Sequence, residues 1–164
     1  MELLELIRNR RSIRKYTGEA IDDEKMHKIL TAGLLAPTSR NRKPCEFHVV
    51  QDKRLLFQMA CAKSAGGMML KDCDKAIVVC ADSDTWLEDC SIAMSFMMLE
   101  AQEEGVACCW VQLYLREEAD ETVARMLGLG KKMHLCGALA LGVGNEEKNP
   151  HSFEEADFSK VFTH

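Results

Sequence analysis

With 164 residues, 47% hydrophobic and 29% charged, the chain has the make-up of an ordinary globular protein, and one domain spanning residues 1–164 can bury roughly 70% of its unfolded surface. No apolar run approaches the roughly 20 residues of a membrane span, and the acidic start Met1-Glu2-Leu3-Leu4-Glu5 lacks the basic residues and long apolar run of a secretory signal. A cytoplasmic protein without a membrane-spanning helix is expected; the net charge of −5 also argues against a general nucleic-acid binder.

Leu3, Leu4, Leu6 and Ile7 predict a short helix ending near a run of arginines. Asp22-Asp23 offers an N-cap for a second helix carrying Met26, Ile29, Leu30 and Leu34 at helical spacing. Pro37 stops it, because the residue before a proline resists the α conformation. After the polar loop Thr38–Pro44, the stretch 46–50 alternates like a strand, and Leu55 to Ala62 reads as helix, broken by Gly66-Gly67. Lys75 to Ala81 is a short apolar run, hence a buried strand. Ser83 or Asp84 caps a long helix reaching Glu104 and stopping at Gly105. Its row from Ile92 to Leu99 is apolar over more than one face, which predicts central burial or contact with another subunit. Val106 to Leu113 is a further strand, Glu117 to Leu127 a helix closed by Gly128 in the left-handed conformation, and Cys136 to Gly142 a last strand. The tail from Asn145 is polar with spaced Phe153, Phe158 and Phe162, which predicts that it lies over another surface. The alternation favours an α+β fold in which a mostly antiparallel sheet packs against the long helix.

Eight cysteines stand at 45, 61, 73, 80, 90, 108, 109 and 136 without any Cys-x-x-Cys. They read as small buried hydrophobes in a reducing compartment, with no metal site expected. His27, His48 and His134 have no Cys, Asp or Glu at motif spacing and read as structural or surface residues.

Charge is unevenly spread. Residues 1–43 hold ten Lys/Arg against six Asp/Glu, a balance of +4, while residues 44–164 carry −9. The centre of the excess is Arg10-Arg11-Ser12-Ile13-Arg14. Guanidinium forks and a hydroxyl are what a phosphate requires, although cations ending a helix also meet its macrodipole. In an extended stretch Arg10, Ser12 and Arg14 project to one face, with Arg11 and Ile13 on the other. A second constellation, Ala36-Pro37-Thr38-Ser39-Arg40-Asn41-Arg42-Lys43-Pro44, crowds hydroxyl and amide groups between stiff prolines, which suits a planar, heteroatom-rich ligand.

Together, Arg-Arg-Ser-Ile-Arg-Lys-Tyr and Ala-Pro-Thr-Ser-Arg-Asn-Arg-Lys-Pro resemble the nitroreductase family of FMN-dependent oxidoreductases. Gly105–Val111, Leu127-Gly128-Leu129 and Ala138–Gly144 continue the likeness along the chain. The resemblance implies a homodimer with FMN at each subunit interface and a tail on the partner. It implies that Arg10, Arg11, Ser12 and Arg14 hold the FMN phosphate and ribityl chain, joined by Lys148. Pro37, Thr38, Ser39 and Asn41 reach the flavin of the other subunit, and backbone amides at Gln112 and Leu113 lie near its N5 and O4. Hydride from NADH or NADPH then passes through the flavin to a small acceptor such as a nitroaromatic or quinone, by a ping-pong mechanism with no obligatory catalytic side chain. Cys45 and Gln112 depart from the family's usual aromatic and glycine, and Gly66-Gly67-Met68-Met69 lacks the polar group often aimed at the flavin. Two other readings remain open: a flavin-binding storage or sensor module, and a cysteine-rich metal or redox protein.

Overall fold

The computed structural model describes residues 2–115 and 118–164. Helices α1 (Leu3–Asn9), α2 (Asp23–Leu35), α3 (Lys53–Cys61), α4 (Trp86–Glu103) and α5 (Ala119–Met126) surround four strands: β1 (Cys45–Val50), β2 (Lys75–Ala81), β3 (Ala107–Gln112) and β4 (His134–Gly142). The strands form one sheet in the order β1-β2-β4-β3, every neighbouring pair antiparallel. The expected α+β architecture is therefore present.

Helices cover the two faces of the sheet, and this explains the two unbroken apolar runs. On β2, Ile77, Val79 and Ala81 pack with Ile29, Met94 and Met97 of α2 and α4. Ala76, Val78 and Cys80 face Leu56, Met59 and Val123 of α3 and α5. A central strand buried on both faces has no polar side to show. Pairing of β2 with β4 slips by one residue between Val79 and Cys80, leaving Cys136 without a partner on β2.

Local chemistry sets the helix ends. Asp22 and Asp52 accept the Glu24 and Leu55 amides as N-caps. Gly105 and Gly128, at φ of 68° and 66°, close α4 and α5. In each case the next residue's N–H reaches back five positions, Val106 to the Ala101 carbonyl and Leu129 to that of Ala124. The cap expected at Ser83 or Asp84 is instead Thr85, and α4 begins at Trp86. The Thr85 hydroxyl is turned toward Asp89 rather than toward the backbone. The Glu117 start expected for α5 lies outside the described residues.

Helix α4 buries Cys90, Ala93, Met94, Met97 and Ala101 against the sheet while leaving Ile92 and Phe96 exposed. Its apolar surface thus exceeds what its own chain covers. The first part of the tail is held by its own chain: Asn145 N–H reaches the Lys15 carbonyl, and His151 N–H that of Arg8. Beyond Ser152, Phe153, Phe158 and Phe162 are 58–78% exposed.

Candidate functional site

Past α1, the backbone runs along the outer edge of β3. Ser12 bridges Cys108, and the Ile13 N–H donates to the Cys108 carbonyl at 3.0 Å. Tyr16 pins this segment. Its ring lies on Gly142, where an added Cβ would come within 2.6 Å, and its hydroxyl donates to the Ile13 carbonyl at 2.8 Å. Burial lifts the phenol far above its ordinary range, so it remains a neutral donor.

Arg10, Ser12 and Arg14 all act on the thiol of Cys109. Burial raises that thiol's pKa, against the pull of Arg14, a hydrogen bond with Ser12, and the charges of Lys148 and Arg10. Nη1 of Arg10 is buried and finds no hydrogen-bond partner among the described residues. A buried cationic donor left unpaired is costly, which marks the spot as one shaped for an anion. Arg11 turns to the Asn149 carbonyl, and the Lys148 ammonium donates to the Ser12 carbonyl. Glu146 braces the group: it accepts the Arg14 amide, which, with Lys148 at 3.6 Å, holds its carboxyl below the usual range.

The loop following α2 is built differently. Arg40, Asn41 and Lys43 have φ of 52°, 54° and 52°, a left-handed conformation uncommon outside glycine. Three such residues among four require outside support. Asp89, only 2% exposed, provides it from the first turn of α4: its carboxylate accepts the Ser39 N–H and the Thr85 hydroxyl, each at 2.8 Å. Within the loop the Thr38 hydroxyl accepts the Lys43 N–H, and the Lys43 ammonium reaches the Ala36 carbonyl. Pro37 and Asn41 stand exposed, while Thr38 and Ser39 are half-buried. Asp89 was not singled out in the sequence. Thr85-x-x-x-Asp89 at a helix start was the available signal, but its partner Ser39 lies fifty residues away.

Gln112 ends β3 and Leu113 follows it. The Leu113 N–H donates to the Cys136 carbonyl at 3.4 Å within the sheet. Antiparallel alternation turns Gln112 outward, where its carbonyl accepts the Lys63 ammonium at 2.9 Å. Lys63 is a second residue that sequence reading passed over. Beyond β3, Tyr114 meets Trp86 edge-on at 5.6 Å and Trp86 stacks on His134 at 5.3 Å, lining a cavity of about 420 Å³. His48, read as having no Cys, Asp or Glu at motif spacing, sits 3.3 Å from Glu46, and the imidazole, carboxylate and Cys80 thiol lie within 4.8 Å of one another.

The structure thus gathers Arg10, Ser12, Arg14 and Lys148 into one cluster. Gln112 shares its sheet edge, four residues or about 13 Å along β3. Pro37, Thr38, Ser39 and Asn41 are kept apart from both, leading into β1 at the far edge of the sheet, three strand spacings or about 14 Å across. The cluster can grip an anion; the loop can contact a flat polar surface; one chain does not bring them together.

Comparison with known proteins agrees with this arrangement. Residues 7–72 and 69–143 match the Nitroreductase family. A protein of Archaeoglobus fulgidus, provisionally named NADH dehydrogenase/NAD(P)H nitroreductase, is 38% identical over 163 residues, covering 95% of this chain and 91% of its own. The structure of an FMN-dependent nitroreductase from Clostridium difficile superposes with a TM-score of 0.95 at 37% identity, covering 98% of each chain. A Desulfovibrio desulfuricans protein solved in complex with FMN gives a TM-score of 0.81 at 25% identity, covering 99% of each. With the family model matching most of the chain and a relative 38% identical covering 95% of it, the chain belongs to the nitroreductase family.

Proposed function

We propose that this chain is an FMN-dependent oxidoreductase drawing on NADH or NADPH to reduce a small acceptor such as a nitroaromatic or quinone. It works as a homodimer, each chain a single domain over residues 1–164, with one flavin at each of two subunit interfaces. The observation that carries this reading is the buried, unpartnered Nη1 of Arg10 beside Ser12, Arg14 and Lys148. Guanidinium, ammonium and hydroxyl groups fit a phosphate dianion, and charge-assisted bonds to it are the strong kind. The chemistry FMN supplies when bound is a two-electron exchange, with the nucleotide in one half-reaction and the acceptor in the other, a ping-pong cycle.

The chain's own residues bind and orient. Arg10, Arg14 and Lys148 hold the phosphate, Ser12 adds a neutral bond, and Arg11 braces the site from the side through Asn149. The outward amide of Gln112, with Leu113 fixing the end of its strand, offers a donor where charge gathers on the ring. Pro37, Thr38, Ser39 and Asn41 serve the partner's flavin. A two-fold axis converts a separation within one chain into adjacency between two. Exposed Ile92 and Phe96 on α4, and Phe153, Phe158 and Phe162 on a tail that crosses to the partner, supply apolar surface for that interface. No helix of the described residues is long and apolar enough to cross a membrane, and eight free cysteines suit the reducing cytoplasm.

Purified protein tests the reading. Flavin absorbance near one FMN per chain, bleached anaerobically by NADH or NADPH and restored by a quinone or nitroaromatic, is the expected result. Protein that is colourless and takes up no added FMN overturns it. Bound flavin that neither nucleotide bleaches removes the reductase and leaves a storage or sensor protein.

A further inference from the structure

We propose that Cys45 and Cys90 are a modification site: a pair of thiols that a hydroperoxide converts to a reversible intramolecular disulfide, stapling β1 to α4 beneath the 37–43 loop. Their sulfurs lie 3.8 Å apart. Closing that gap to the roughly 2.05 Å of a disulfide asks for about 1.8 Å of side-chain movement. The two thiols also differ in the way such a pair requires. Cys45, the first residue of β1, is half-buried and lines a cavity of about 430 Å³ with Leu34, Phe47 and Val49. Cys90, in the first turns of α4, is fully buried. One sulfur meets a reagent, and the other waits behind it.

Electrostatics separates the pair from the remaining thiols. Hydrogen bonding with Cys90 and the positive charge of Lys43 ease ionisation of Cys45, outweighing burial and Asp89, while the same interaction and burial hold Cys90 protonated. Burial pushes Cys73 and Cys136 up to about 11 and Cys80 and Cys108 up to about 12, where almost no nucleophilic thiolate exists, and it raises Cys109 too. Cys61 is exposed and has no thiol in hydrogen-bond contact among the described contacts.

The chemistry balances with the hydroperoxide as oxidant. The Cys45 thiolate attacks the terminal oxygen; an S–O bond forms, the O–O bond breaks, and the alcohol or water leaves with a proton, giving a sulfenic acid. The Cys90 thiol then attacks that sulfur; the S–S bond forms, the S–O bond breaks, and water departs with the Cys90 proton. Two thiols have lost two electrons, and one hydroperoxide has gained them. An external dithiol reverses the change. The staple would sit one residue from Pro44 and one from Asp89, so the cross-link acts on both ends of the loop's support.

The full-length protein as purified, reduced and then given one equivalent of hydrogen peroxide, tests this. Alkylation and tandem mass spectrometry should find two thiols lost, a Cys45–Cys90 link, and recovery with dithiothreitol. Cys45→Ser should abolish the link, and Cys90→Ser should leave Cys45 as a sulfenic acid that dimedone traps. A link from Cys45 to Cys80 or Cys136, oxidation of Cys61 ahead of Cys45, or an unreacted Cys45 overturns the proposal, and the wild-type map alone decides it should a variant fail to fold. The readout is a bond within the chain, so protein that forms the link yet binds no FMN refutes the cofactor reading and leaves this one standing.

Discussion

The arginine strand and the 37–43 loop reach a similar end, polar groups held ready at a surface, by opposite means. The strand is moored by backbone: its Ile13 N–H sits on Cys108, Tyr16 lies across Gly142, and the returning tail pairs with residues 8–17. Its side chains are thereby left free to point at a ligand. The loop has no ladder. Its buried external anchor is Asp89, joined by Arg42 reaching the Thr85 hydroxyl and by bonds within residues 36–43, and three of its residues stay in the left-handed region. Distributed backbone mooring tolerates the loss of any one bond, whereas a loop leaning on one buried carboxylate is more exposed to the loss of that group.

That contrast can be broken most directly at Asp89. Asp89→Ala leaves the Ser39 amide and Thr85 hydroxyl without their acceptor and should cost about 3 kcal/mol, the scale of hydrogen bonds to a charged group. Urea unfolding gives the total, and hydrogen exchange at the Ser39 amide shows whether the loop is what was lost. An amide that stays protected means the loop has another anchor.

On the strand, Arg10→Ala should weaken FMN binding by about 1.5–3 kcal/mol without lowering the ligand-free stability, because Nη1 makes no internal bond to lose and the cost of its unpaired burial is removed. Titration calorimetry beside thermal unfolding separates the two quantities. Equal losses in both would make Arg10 a structural residue.

Gly142→Ala places a methyl group 2.6 Å from the Tyr16 ring. Overpacking of this kind costs about 1–3 kcal/mol, and the shift of Tyr16 should carry the arginines with it, so FMN affinity should fall too. Tyr16→Phe, which deletes the hydroxyl's bonds to the Ile13 and Ala140 carbonyls, should cost about 1 kcal/mol. If Tyr16→Phe proves the more damaging of the two, the pin is the hydroxyl and not the ring.

The smallest expected effect has the opposite sign. Arg40 adopts φ of 52°, so Arg40→Gly should raise ligand-free stability by about 0.5 kcal/mol, because the steric strain relieved exceeds the extra chain entropy that glycine loses. A matching fall in FMN affinity would show that the rigidity of the loop matters to binding.

What the sequence disclosed divides along similar lines. Strands β2 and β4 were legible because burial on both faces writes an unbroken apolar run, and the ends of α4 and α5 because Gly105 and Gly128 each follow a periodic segment. The face shared by Arg10, Ser12 and Arg14 followed from the two-residue period of extended chain. Asp89 was not legible: an acid in a first helical turn has an ordinary explanation in the helix dipole, and its role depends on Ser39 arriving from a distant part of the chain. Residues 145–151 were likewise hidden, since a polar stretch pairing with a polar stretch leaves no hydrophobic trace. The slip that frees Cys136, and with it the earlier start of β4 at His134, depends on the register of a neighbour strand rather than on any residue of its own.

Glu146 has a consequence of its own. Seated on the Arg14 amide and 3.6 Å from Lys148, it is a built-in counter-ion, so the chain can fold with its cations already compensated before any ligand arrives. Under the proposed function, a phosphate would enter by exchange, one anion in place of or beside another. The affinity measured is the difference between the two, and a neutral residue at position 146 would shift the balance toward the incoming one.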